Sequence, residues 1–285
     1  MIYVHRDWSK VPQEKLDALK AISVALEAIE DKAARKAFIT ANQGEWSKVR
    51  EELTAMSFGK CWYTESREAV SRYQTDHFRP HGRAKQAAKT YSDGYCWLAF
   101  DVNNYRIVGV LANTQNQEYS DTTVGKGDWF PLLDPATRAT VVYQSLDDET
   151  PLLLDPVERD DPAKIEFNDN GEARPADGLS PDDTKSVEHA LECLGIRQDQ
   201  LNRKRRQKWK ECDRKIIQFS RFAKKAKGQR TPEESATMDE LAEELITMAS
   251  CKSEFSATVR CCLTNNRLGR FAIRDELQPL AHAYD

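Results

Sequence analysis

A change of hydrophobic period near residue 57 constrains this chain more than any other feature. From Leu16 onward, Leu19, Ile22, Leu26, Ile29, Ala33 and Ala37 recur at three- and four-residue steps, which places them on one face of a helix. Pro12 stands where a first-turn proline is tolerated, and a second helix carries Trp46, Val49, Leu53 and Met56. These stripes read as core, because an amphipathic helix ordinarily buries its apolar face. Between residues 57 and 156 the period breaks into short apolar pieces with aromatics, interrupted by Asp-Gly, Asn-Asn and Lys-Gly-Asp. Helical spacing returns at Val187, Ala190, Leu191, Leu194 and Leu201. The expected fold class is α+β, a small strand-bearing core embedded in a mostly helical chain, with segments at 1–56, 57–160 and 161–285.

At 285 residues the chain can bury a substantial core. No stretch approaches the ~18 consecutive apolar residues of a membrane helix. The opening residues lack a basic region, an apolar run and a small-residue cleavage site, so a cytoplasmic location is expected. Seven cysteines without a Cys-x-x-Cys pair read as free thiols in a reducing compartment. Residues 147–183 hold thirteen acidic and three basic side chains and five prolines, the composition of an irregular, largely surface-lying stretch. The charge then reverses. From Arg203 to Arg230 thirteen Lys or Arg face only Glu211 and Asp213, a local excess of +11 on a chain whose net charge is −4. Such a stripe is an electrostatic footprint for polyanions, with Arg203, Lys204, Arg205 and Arg206 as candidate substrate contacts. The alternative is a solvated helix face that balances the acidic segments. Thr231-Pro232 then opens a helix whose acidic first turn suits the helix dipole.

The residues with chemistry are Asp76-His77, Asn104 and Asn113. In a ββα-metal centre two antiparallel strands and a helix surround one cation. His77 would end the first strand, Asn104 begin the second and Asn113 open the helix. Phosphodiester hydrolysis needs a base to take a proton from water, and an imidazole of ordinary pKa ~6.5 suits that role. It also needs a cation at the phosphate. Asp76 and Asn113 both offer oxygen, which favours Mg²⁺ or Mn²⁺ over zinc. Asn104 reads as orienting the loop that bears His77, and Arg79 as either a phosphate contact or half of an internal ion pair.

These residues sit within a series of short motifs: Phe58-Gly59-Lys60-Cys61-Trp62-Tyr63-Thr64-Glu65, Asp76-His77-Phe78-Arg79-Pro80, Gly94-Tyr95-Cys96-Trp97-Leu98-Ala99-Phe100, Asn104-Tyr105-Arg106, Trp129-Phe130-Pro131-Leu132 and Glu149-Thr150-Pro151-Leu152-Leu153-Leu154-Asp155-Pro156. In order and spacing, from about Met56 to Arg206, the chain resembles the PtuB-like HNH endonucleases of bacterial Septu anti-phage systems. The resemblance implies a metal-dependent nuclease, DNA favoured as substrate, acting with an ABC-type ATPase subunit (PtuA-like). It departs from that family in two places. Of two zinc-binding Cys-x-x-Cys pairs only Cys61 remains, with Thr64, Gly109 and Ala112 at the other positions, so no structural zinc is expected. The lysine that follows the helix ligand is Asn116. Two alternatives stay open: a decayed HNH module that binds nucleic acid or scaffolds a complex, and a nuclease for structured RNA such as tRNA.

Overall fold

The structure, a computed structural model, describes residues 1–142 and 144–277; the end of the expected 161–285 segment, from 278, lies outside them. The chain begins with two helices, α1 (Gln13–Glu27) and α2 (Lys32–Ala41), where the sequence pattern predicts one. The break falls where Asp31 caps α2, its carboxylate accepting the Ala34 N–H at 2.7 Å. Trp46 and Val49 lie in a 3₁₀ turn that leads into α3 (Arg50–Met56).

The middle of the chain holds β1 (Gln74–His77), the hairpin β2 (Arg83–Ala87) and β3 (Thr90–Asp93), and β4 (Tyr105–Val108), followed by the single turn α4 (Val110–Asn113). β1 and β4 pair antiparallel, with Asp76 opposite Arg106 and His77 opposite Tyr105. All four β4 residues are buried, as the aromatic and β-branched run Tyr105-Arg106-Ile107-Val108 favours. Next come a third small antiparallel pair, β5 (Ile165–Phe167) and β6 (Ala173–Pro175), and the helices α5 (Pro181–Cys193), α6 (Asp199–Ala223), α7 (Pro232–Ala249) and α8 (Ser256–Asn265).

The helical spacing that runs from Val187 to Leu201 is cut by Gly195. Its φ of +61° is the left-handed position of a helix C-terminus, and the Ile196 N–H bonds back to the Leu191 carbonyl. Thr231 caps α7 with a reciprocal Glu234 capping box, as the Thr-Pro start suggests. Among the described residues no helix is long and apolar enough to cross a membrane.

Packing follows different boundaries from those expected. One apolar cluster joins Val11, Leu19, Leu26, Val49 and Leu53 to Trp62, Phe100, Tyr105 and Ile107, so the N-terminal helices cover one side of the strand pair. Another joins Cys61, Tyr63, Val108 and Ala112 to Ile165, Phe167, Leu191 and Ile196. Residues 165–196 therefore pack with the strand-bearing core, and Ala257 and Cys261 of α8 pack against the same cluster. The 147–183 stretch is irregular but not surface-lying throughout: residues 152–157 are buried, because the Leu152-Leu153-Leu154 run outweighs the acidic composition around it. Helices α6 to α8 form their own cluster around Trp209, Ile216, Leu245, Val259 and Leu263.

Candidate active site

The β1–β4 pair brings the candidate residues to one place. His77 ends β1, and Asn104 stands one residue before β4. Asn113 closes the α4 turn instead of opening a helix: Gly109 caps that turn and Thr114 ends it after four residues.

Asn104 is buried and acts as a clamp. Its side-chain oxygen accepts the Arg79 N–H at 2.8 Å, and its amide donates to the Arg79 carbonyl at 2.9 Å. The two bonds grip the backbone on either side of the Arg79 Cα, which fixes the loop leaving His77. The His77 ring is held from the other side. Its Nε2 lies 2.8 Å from the Ala99 carbonyl, which can only accept, so Nε2 carries the proton and Nδ1 keeps its lone pair. The Tyr105 hydroxyl donates to the same carbonyl at 3.0 Å. Burial, and then the neighbouring His81, hold the His77 pKa down to about 3, against the pull of the Ala99 carbonyl.

Asp76 faces a cation that the sequence reading missed. The fully buried Lys126 ammonium donates to Asp76 Oδ1 at 3.0 Å and to the His77 carbonyl at 2.7 Å, while the Tyr63 hydroxyl donates to Asp76 Oδ2 at 3.2 Å. Lys126 arrives on a loop that pairs with α4, its N–H bonding the Ala112 carbonyl and the Gly127 N–H bonding the Asn113 carbonyl. Gly125 permits this approach. Its φ is +105°, and a Cβ there would stand 2.2 Å from the Thr114 carbonyl oxygen, a backbone atom that cannot swing aside. Lys-Gly-Asp is legible in sequence as loop punctuation, but nothing in a linear pattern says that its lysine turns inward.

Asn113 donates its amide N–H to Gln74 Oε1 at 2.9 Å, so its own side-chain oxygen is left for another partner. Asp76, His77 and Asn113 share the lining of one cleft of about 860 Å³, together with Trp46, His81 and Asp128. The His77 ring centroid lies 4.9 Å from Trp46 and 4.6 Å from His81. Trp46, which reads as core in the sequence, does pack against the N-terminal apolar cluster and also forms a wall of this cleft. Among the described residues no three His, Cys, Asp or Glu side chains stand together as a metal-holding group.

The expected substrate contacts fare differently. Arg79 does not face the cleft as a free cation: its Nε donates at 2.8 Å to the buried Glu149, which also accepts from Tyr95 and the Ala139 N–H. Arg205 is buried at 1% exposure over the Phe167 ring, with its guanidinium donating to the Ile196 carbonyl. It packs α6 onto the core and is unavailable to a ligand. Arg203, Lys204 and Arg206 are exposed on α6, but none lines the cleft.

No protein-family model matches the chain. A curated relative does: the chain is 29% identical over 179 residues to the Septu protein PtuB of Bacillus mycoides (strain KBAB4). The match covers 60% of this chain and 54% of the relative, so it spans about half of that protein's length. This similarity supports a PtuB-like family for the chain.

Proposed function

We propose that this PtuB-like chain is a metal-dependent HNH endonuclease subunit, built on a ββα-metal core, that hydrolyses phosphodiester bonds, DNA favoured, within a Septu-type anti-phage complex containing an ABC-type ATPase subunit (PtuA-like). The observation that carries this reading is the presentation of His77. It ends one strand of an antiparallel pair, its Nε2 proton is committed to the Ala99 carbonyl, and it lines the same cleft as Asp76 and Asn113.

In this arrangement Nδ1 of His77 takes a proton from the water that attacks phosphorus. Low pKa keeps the ring unprotonated and ready, at the cost of basicity; a phosphate anion in the cleft raises it, since negative charge favours the imidazolium. Asn104 positions this base through the Arg79 backbone and touches no reacting atom. The donor set fits a hard divalent cation with water in its remaining positions: Asp76 supplies a carboxylate and Asn113 an amide oxygen that its Gln74 bond leaves available. Bound there, Mg²⁺ or Mn²⁺ would neutralise charge on the scissile phosphate.

The test is cleavage of supercoiled plasmid and of total RNA, in Mg²⁺ or Mn²⁺ and in EDTA, by the chain alone and co-purified with a PtuA-like ATPase. His77→Ala and the smaller change His77→Gln should lower the rate by about 10²- to 10⁴-fold with the circular dichroism spectrum unchanged. Cleavage at the wild-type rate by both variants, or no cleavage under any condition, overturns the reading.

A second reading, a nucleic-acid-binding or scaffolding subunit, has one observation in its favour. Both Asp76 oxygens already have donors, one of them the Lys126 ammonium, which competes electrostatically with a metal ion. Titration calorimetry separates the two. Mn²⁺ binding that disappears in Asp76→Asn supports the nuclease, whereas nucleic-acid binding with no metal affinity supports the scaffold.

A further inference from the structure

Two arginines stand on the cleft beside the candidate catalytic residues. Arg50, the first residue of α3, and Arg72, just before β1, line it together with His77 and Asn113, and neither makes an ion pair among the described residues. The carboxylates that share the cleft are already neutralised: Asp76 by Lys126, and Asp128 by Arg83 at 2.6 Å. The cleft therefore carries a surplus of positive charge beside His77.

A second hollow, of about 930 Å³, lies against the first and shares His81, Gly82 and Asp128 with it. Together they make one trough that runs from the start of α3 past His77 to α2. In this second part Lys32 is paired with Asp93 at 2.7 Å. Arg35 and Lys36 make no ion pair among the described residues, against a single unpaired carboxylate, Asp31, which accepts the Ala34 N–H as the cap of α2. The surplus continues along the trough. By contrast, the exposed cations of α6 line neither hollow.

We propose that Arg50 and Arg72 form the phosphate clamp of this cleft, gripping the backbone of the nucleic acid on either side of the bond presented to His77, with the strand continuing over Lys36. This rests on the nuclease reading and gives it a substrate path. A guanidinium suits the role, since its fork of donors matches two phosphate oxygens and it loses little on partial dehydration. Backbone phosphates are common to DNA and RNA, so the clamp itself does not choose between them; the arms of the test do.

The experiment measures binding in EDTA, where hydrolysis does not interfere, of fluorescein-labelled duplex DNA, single-stranded DNA and a tRNA-like hairpin to the full chain across a salt series. The proteins are wild type, Arg50→Ala, Arg72→Ala, the double variant, the two Arg→Lys variants and Arg203→Ala/Lys204→Ala/Arg206→Ala, each checked by thermal melting. Each cleft alanine variant should weaken binding by about tenfold. The salt-dependence slope should fall by about 1 per arginine and about 2 in the double variant, equally for different sequences. The lysine variants should restore most of the slope, because the charge is kept, and the ligand whose affinity falls furthest identifies the substrate class. Unchanged binding and slope in the folded double variant, with loss in the α6 triple variant, overturns the clamp and leaves the nuclease reading in place. A wild-type chain that binds none of the three ligands removes both.

Discussion

The two halves of this molecule are held together by different physics. The region around β1 and β4 has only short regular elements, and buried ion pairs add directional fixation to its apolar clusters. Arg106 and Asp155 meet through two donor bonds, Nε at 2.6 Å and a second guanidinium nitrogen at 2.5 Å; Arg79 meets Glu149, and Lys126 meets Asp76. The α6–α8 unit is three helices packed through Trp209, Ile216, Leu245, Val259 and Leu263. Apolar packing is non-directional and tolerates small shifts. A hydrogen-bonded ion pair sets an atom's place to a few tenths of an ångström, but leaves a heavy penalty when one partner goes. A site that must aim an imidazole and a carboxylate needs the second kind of bond. A supporting or docking unit does well with the first.

Lys126→Met strikes the charged half hardest. It strands a buried carboxylate, and the folded state should lose about 3–5 kcal/mol in urea melts with EDTA present. If Asp76 is a metal ligand, added Mg²⁺ or Mn²⁺ should recover part of that loss by binding only the folded state; no recovery would favour the scaffold reading. In the helical half Leu245→Ala opens a cavity in a fully buried position and should cost about 2–5 kcal/mol. The contrast sharpens if cleavage by the folded fraction is unchanged there, and breaks if the site fails as well.

Glu65 ties the halves together, accepting from Ser256 at the start of α8 at 2.9 Å and from the Met1 ammonium at 2.9 Å. Burial opposes its charge, but the Met1 ammonium and Lys60 outweigh it and hold the pKa at about 2 against an ordinary 4.5. A carboxylate lowered in the folded state contributes stability above its unfolded pKa. That contribution is lost as the pH falls from 4.5 towards 2. The melting temperature should drop across this window in the wild type and less steeply in Glu65→Gln. The smallest effect is expected at the exposed start of α7, where Thr231→Ala removes one half of the capping box and should cost about 1 kcal/mol without changing cleavage.

Sequence alone determined the features that depend on local rules. Apolar spacing marked the helices, Thr231-Pro232 marked the start of α7, and the broken pattern after residue 57 marked the strand-bearing core. The motif order brought Asp76, His77, Asn104 and Asn113 forward as a set, and three of them line one cleft while Asn104 holds the loop beside it. Tertiary structure decided what lies far apart in the chain. Lys126 reaches Asp76 across fifty residues, Arg79 meets Glu149 across seventy, and Trp46, packed on the core, also becomes a cleft wall. The basic stretch shows the same limit from the other side. Composition recorded its charge, but a helix has faces, and only packing could assign Arg205 to the core and its neighbours to solvent. The reason is physical: periodicity reports which side of an element is apolar, whereas the pairing of charges depends on which elements meet, and that is settled by the whole chain folding at once.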